Sequence, residues 1–95
     1  MDNYLFEVID KTGRKIRMTK ERWKHIRIEH PLVEDEELRQ TLINPLKIIQ
    51  ESKDKYFYYQ YFKHKDLPHR YLRVIVKYLN GAGFVISAYF VRYMD

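Results

Sequence analysis

The chain has 95 residues, 45% hydrophobic and 16% aromatic, with a net charge of +5 and a pI near 9.4. This is too apolar for a disordered chain and too short for two cores, so one packed domain over residues 1–95 is expected. The lack of cysteine excludes disulfides, zinc ribbons, thiol nucleophiles and iron–sulfur clusters. No apolar run approaches the roughly 18 residues of a membrane span, and the acidic start MDNYLFEVID is unlike a signal peptide, so a cytoplasmic protein without membrane contact is expected.

In chain order, residues 4–9 and 14–18 read as a short hairpin around the polar turn Asp10, Lys11, Thr12, Gly13. Thr19 then stands as the N-cap of a helix from about Lys20 to Glu29, ended by Pro31. Glu34 to Glu37 suit the positive amino end of a second helix, with Leu38, Leu42 and Ile43 as its apolar stripe and Asn44–Pro45 as its stop. Beyond Pro45 the apolar period changes from about 3.6 to 2. Four strands follow, at about 46–51, 56–62, 70–79 and 84–92, with Gly81 and Gly83 marking the last turn. The expected fold is α+β: a hairpin, two helices, then a four-stranded antiparallel sheet joined as a meander.

Alternation gives that sheet two faces. Leu72, Val74, Val76 and Tyr78 are expected toward the helices, joined by Phe84, Ile86, Ala88 and Phe90 of the last strand. The opposite face would carry Arg73, Lys77, Ser87 and Tyr89, with Tyr59 or Tyr58 according to register. The run Tyr56, Phe57, Tyr58, Tyr59, Gln60, Tyr61, Phe62 puts rings on both sides of its strand. Each ring buries about 150–250 Å², so one side belongs to the core and the other is surplus. Tyrosines beside Arg and Lys on a sheet can stack splayed bases and hold phosphates. A protein interface, with an acidic partner or a second copy of the chain, is the alternative use of the same surface.

The segment Trp23-Lys24-His25-Ile26-Arg27-Ile28-Glu29-His30-Pro31 brings two of the four histidines together. Five positions of helix turn the second ring about 140° from the first, which argues against a shared metal. His25 and Glu29, four apart, suit either an acid/base pair or an ordinary surface ion pair. His30 suits either a functional role or simple helix termination. Trp23 and Ile26 read as core. His64, His69, Lys63, Lys65 and Arg70 form a basic loop around Pro68, either solvated or in contact with phosphate. The positive balance of the chain favours nucleic acid as the partner.

Together RWKHIRIEHP, NPLKI, the tyrosine strand, YLRVIVKY and FVISAYFVR resemble, over residues 16–92, the phage-associated branch of the barnase, EndoU, colicin and RelE-like nuclease superfamily. That resemblance implies two helices before a four-stranded antiparallel sheet, and a metal-independent endoribonuclease without cofactor, of the kind that serves as the toxin of a toxin–antitoxin pair with an acidic antitoxin partner. It matches His25 and His30 to a helix motif W-x-H-I-x-x-x-H-P, Lys77 to the end of V-x-V-K, Ser87 and Tyr89 to a terminal T/S-A-Y signature, and Tyr59 to the tyrosine strand. On this reading His25 is the principal acid/base and His30 or Tyr59 the second proton carrier. Arg73 and Lys77 would stabilise the phosphate, Ser87 and Tyr89 would position it, and Arg70, His69 and Tyr71 would contact substrate.

Overall fold

A computed structural model describes residues 3–63, 65 and 68–94. The elements are β1 (Tyr4–Ile9), β2 (Lys15–Thr19), α1 (Lys20–Glu29), α2 (Asp35–Ile43), β3 (Lys47–Gln50), β4 (Lys55–Tyr61), β5 (Tyr71–Leu79) and β6 (Ala82–Val91). Thr19 caps α1 as expected, its hydroxyl accepting the Arg22 N–H at 3.0 Å. Asn80 and Gly81 both take positive φ, 53° and 82°, so β5 and β6 are joined by a two-residue turn and β6 starts two residues earlier than expected.

The sheet is six-stranded and mixed, in the order β1-β2-β6-β5-β4-β3, rather than four-stranded and antiparallel. An isolated two-stranded hairpin is marginal in water, and this one has an apolar face, Phe6, Val8, Ile16 and Met18, that needs cover. It obtains cover by laying β2 parallel to β6, pairing Ile16 with Gly83 and Arg17 with Phe84, so that its apolar face continues the core of the main sheet. Both helices lie on that one face. Ile26 of α1 and Leu38 and Leu42 of α2 pack there with Tyr58, Leu72, Val74, Val76, Val85 and Ala88, and Trp23 joins as a half-buried neighbour. Ile43, expected in the α2 stripe, is instead 50% exposed; buried Thr41, its hydroxyl bonded to the Glu37 carbonyl at 2.7 Å, takes that side of the helix.

Alternation in β6 breaks once. Ile75 pairs with Ser87 but Val76 pairs with Val85, so Ile86 is an extra residue in a β-bulge. Ahead of the bulge Gly83 and Val85 face the helices and Phe84 faces away, which reverses the expected orientation of Phe84 and Val85 and removes Ile86 from the expected core set. Beyond it, Ala88 and Phe90 point to the helices as expected, and Ser87 and Tyr89 point away. A Cβ on Gly83 would lie 2.8 Å from the Tyr78 ring, so only glycine lets that ring cross the strand here.

Tyr78 belongs to a polar cluster that fastens the hairpin turn to the sheet. The Asp10 carboxylate accepts from the Thr12 N–H (3.0 Å), the Thr12 hydroxyl (2.7 Å) and the Arg14 N–H (2.8 Å) through Oδ1. Its Oδ2 accepts from the Tyr58 hydroxyl, and the Tyr78 hydroxyl lies at 3.4 Å. The Arg14 guanidinium covers the Tyr56 and Tyr78 rings, 5.1 and 4.6 Å from their centroids. Burial raises the Asp10 pKa, but the hydrogen bonds from Tyr58, Thr12 and the Arg14 backbone outweigh it and hold the carboxyl below its ordinary value. Burial first, and then the bond to Asp10, push the Tyr58 phenol far above its own.

Asp10→Ala is expected to lower stability at pH 7 by about 3 kcal/mol in urea denaturation, the loss of a charged acceptor that serves several donors. Because the folded-state pKa of Asp10 is depressed, its contribution is present above the ordinary value of 3.8 and is lost as pH falls through the lower folded value. Wild-type and variant midpoints should therefore converge in acid. A constant gap down to pH 2 would show that the carboxylate charge is not what stabilises the turn.

Candidate functional site

The sheet face turned away from the helices is built by the same alternation that fills the core. Cross-strand pairing puts Tyr59 of β4, Arg73 of β5 and Tyr89 of β6 in one row. Register thereby selects Tyr59 for this face and sends Tyr58 into the core opposite Val74. Arg73 Nε donates to the Tyr59 hydroxyl at 2.9 Å and Nη1 donates to the Tyr89 hydroxyl at 3.1 Å. The guanidinium also lies over the rings of Phe57, Tyr59 and Tyr89, 5.0, 5.4 and 5.6 Å from their centroids. Burial pulls the Arg73 pKa down, and the bonds to Tyr89 and Tyr59 more than offset it, so the group stays cationic. The cation is oriented on two sides before any ligand arrives.

The fourth member comes from a helix. The β2–β6 register covers only Gly83 and Phe84 of β6, and beyond them the carboxyl end of α1 lies beside the strand. His30 leaves α1 at φ −135° and ψ 71° while its N–H still bonds the Ile26 carbonyl at 2.7 Å. Its ring packs against Tyr89, centroids 5.3 Å apart with planes tilted 35°. His30, Tyr89, Arg73 and Tyr59 thus form one continuous chain of contacts from the helix end across the sheet face.

His25 is not part of it. Five residues back and turned about 140° around the helix axis, it is exposed in a polar groove with Thr19, Glu21, Arg22 and Glu29, all from α1 and its cap. The expected pairing of His25 with Glu29 is absent among the described residues, although both line that groove. Lys77 does share the face with Arg73, but four residues along β5, roughly 13 Å away at 3.3 Å per residue, opposite Lys55 and Phe84. Ser87 lies between them, paired with Ile75. At the other end the Tyr71 ring meets Tyr61 edge-on at 5.3 Å, and the Arg70 guanidinium reaches the Tyr61 hydroxyl at 3.5 Å. His69 is exposed in the segment before β5, and His64 lies outside the described residues. Phe57, which sequence reasoning assigned to neither face, lies under the Arg73 guanidinium on this face; its two-residue offset from Tyr59 is the signal that could have placed it.

The strand positions of this face carry Lys15, Arg17, Lys47, Lys55, Arg73 and Lys77 against one acid, Glu7, which Arg17 holds at 2.6 Å. The face therefore attracts anions, and its aromatic rings offer flat apolar partners beside the cations. No protein-family model, curated protein or solved structure matches this chain. Among the described residues no helix is long and apolar enough to cross a membrane.

Tyr59 is fully buried, so its phenol acts as a fixed acceptor for Arg73. Tyr59→Phe keeps the ring and removes the acceptor of Nε; stability is expected to fall by about 1.5–3 kcal/mol in urea titration. An unchanged midpoint would mean that the bond does not hold the guanidinium.

Proposed function

We propose that the helix-free face of the sheet binds RNA and that the protein is a metal-independent endoribonuclease whose reacting groups are His30, Tyr89 and Arg73. The observation that supports this reading is the contact chain from His30 through Tyr89 to Arg73, an imidazole, a phenol and a fixed guanidinium side by side on a basic, aromatic surface.

Cleavage of this kind has the ribose 2′-oxygen attack the neighbouring phosphorus while the bond from phosphorus to the 5′-oxygen breaks. His30 takes the 2′-hydroxyl proton, since an imidazole is the side chain best suited to exchange protons near neutral pH. Arg73 holds the phosphoryl oxygens as negative charge gathers on them. Tyr89, polarised by the Arg73 bond to its oxygen, gives its proton to the departing 5′-oxygen. The products are a 2′,3′-cyclic phosphate and a 5′-hydroxyl. Tyr59 positions Arg73, while Lys77, Lys55 and Ser87 contact the strand away from the cut, and Arg70, His69 and Tyr71 contact it at the opposite rim. His30 replaces His25 as principal acid/base because only His30 meets the face. The resemblance to toxin nucleases extends the proposal to a cellular role, in which an acidic antitoxin covers the basic face.

A second reading, a module that holds RNA without cutting it, is favoured by the spread of cations from Arg73 to Lys77, wider than one scissile phosphate requires. Cleavage and gel-shift assays run side by side in EDTA separate the two.

His30→Ala is expected to slow cleavage in EDTA by about 10²–10⁴-fold with RNA binding retained, whereas His25→Ala should stay within a few-fold of wild type. RNA with 2′-deoxyribose at the cut should bind and resist. Growth arrest on expression, relieved by His30→Ala, would place the activity in a toxin. If His30→Ala cuts at the wild-type rate, His30 does not carry the proton; if the wild type binds but never cuts, the second reading stands.

A further inference from the structure

Beside His30 the chain presents an apolar surface for which the core has no use. Leu32 is 55% exposed, although it stands between the helix end and buried Val33. It borders a hollow of about 320 Å³ whose other walls include His30, Pro31, Tyr89 and Phe90. That volume is at the low end of the roughly 300–1,000 Å³ of small-ligand sites, suited to one planar group and too small for a duplex.

The walls are held in place. Arg27 Nη1 donates to the Pro31 and Val33 carbonyls at 2.5 and 2.9 Å, and Lys65 Nζ donates to the Leu32 carbonyl at 2.8 Å. The Val33 N–H bonds the His30 carbonyl at 3.1 Å. All four carbonyls from His30 to Val33 are therefore engaged, two cations clamp the connection, and Leu32 is presented by a rigid backbone. Lys65 is itself fixed by Glu34 at 2.8 Å and Glu37 at 3.2 Å. Phe90 is backed by Phe62, centroids 6.4 Å apart, and by Lys65 over its ring at 5.6 Å. This largely apolar slot, with Glu29 at its border, shares two walls, His30 and Tyr89, with the cluster proposed to react, so a group adjoining a phosphate at Arg73 would lie beside it.

We infer that this slot is a nucleobase subsite, in which the base next to the scissile phosphate lies against Leu32 and Phe90, and that Leu32 governs preference for that base. The inference rests on the sheet face binding RNA and deepens that reading. Apolar and aromatic walls recognise a base by its flat faces, which every base has, so the subsite should require a base strongly and distinguish among bases by size.

The test uses the full chain and two short single-stranded RNAs with one 2′-deoxy position at the cut, identical except that one lacks the base at the adjoining nucleotide. Binding is followed by fluorescence anisotropy. Wild type should bind the complete strand about tenfold tighter than the abasic strand, the effect expected of one stacked base. Leu32→Ala should reduce that ratio toward one while binding the abasic strand as wild type does. Leu32→Met, which keeps an apolar side chain, should restore it. Leu32 is surface-exposed, so thermal melting should show all three proteins equally folded; an alanine variant that melts early leaves the methionine variant and the wild-type ratio to decide. Equal binding of both strands by wild type, or equal loss for both in Leu32→Ala, overturns the subsite alone. No binding of either strand overturns the subsite together with the RNA-binding reading beneath it.

Discussion

The extra residue in β6 determines what each face of the sheet holds. Strict alternation would put Val85 on the same side as Ser87 and Tyr89, costing either a buried valine or the row of polar groups on the open face. Inserting Ile86 resolves the conflict: Gly83 and Val85 serve the core before the bulge, Ala88 and Phe90 serve it afterwards, and Ser87 and Tyr89 stay outside. Two clusters depend on that shift. On the helix side Gly83 faces Tyr78, whose ring uses the missing Cβ to reach Tyr58 and Asp10. On the open side Tyr89 comes opposite Arg73. A slip of one residue would break both.

The division of charge follows from the same architecture. Helix acids are largely met by nearby bases: Arg39 by Asp35 and Glu36, Lys65 by Glu34 and Glu37. The Arg39 pairs are exposed and contribute little to stability, whereas the Lys65–Glu37 pair is largely buried. Their consequence is a field, because with both helices on one face the lysines and arginines of the strands dominate the other. The net charge of +5 is therefore a property of one surface more than of the whole molecule, which is the arrangement that raises encounter rates with an anionic partner.

Much of the secondary structure could be read from local chemistry. The Thr19 cap, Pro31, the acids of Glu34 to Glu37 and the change of period at Pro45 bounded the helices closely, since each acts within a few residues. What could not be read is long-range. Nothing local in Lys15–Thr19 announces a parallel partner 67 positions on; that pairing answers a shortage of cover for the hairpin's apolar face. The bulge was equally hidden, because Phe84 and Ile86 are as apolar as Val85 and alternate with it equally well. At the site, the row of Arg73, Tyr89 and a tyrosine of β4 followed from alternation. The choice between His25 and His30 did not, since it depends on where a helix ends relative to a strand edge.

The geometry of that helix end explains why His30, and not His25, reaches the sheet face. A residue within α1 is committed to the direction its helical position dictates, and His25 points where its neighbours Glu21, Arg22 and Glu29 do. A C-cap residue is released from that constraint: with ψ at 71° the chain turns out of the helix, and the ring can lie on Tyr89. Tyr89 in turn accepts from Arg73, and Arg73 donates to buried Tyr59. Phenols at Nε and Nη1 orient the guanidinium fork without cancelling its charge, as a carboxylate in those places would. Position is thus fixed from the core outward, with the least movable group, Tyr59, deepest and the His30 ring at the rim; under the proposed RNA-cleaving function, that order leaves little reorganisation for the moment a phosphate arrives.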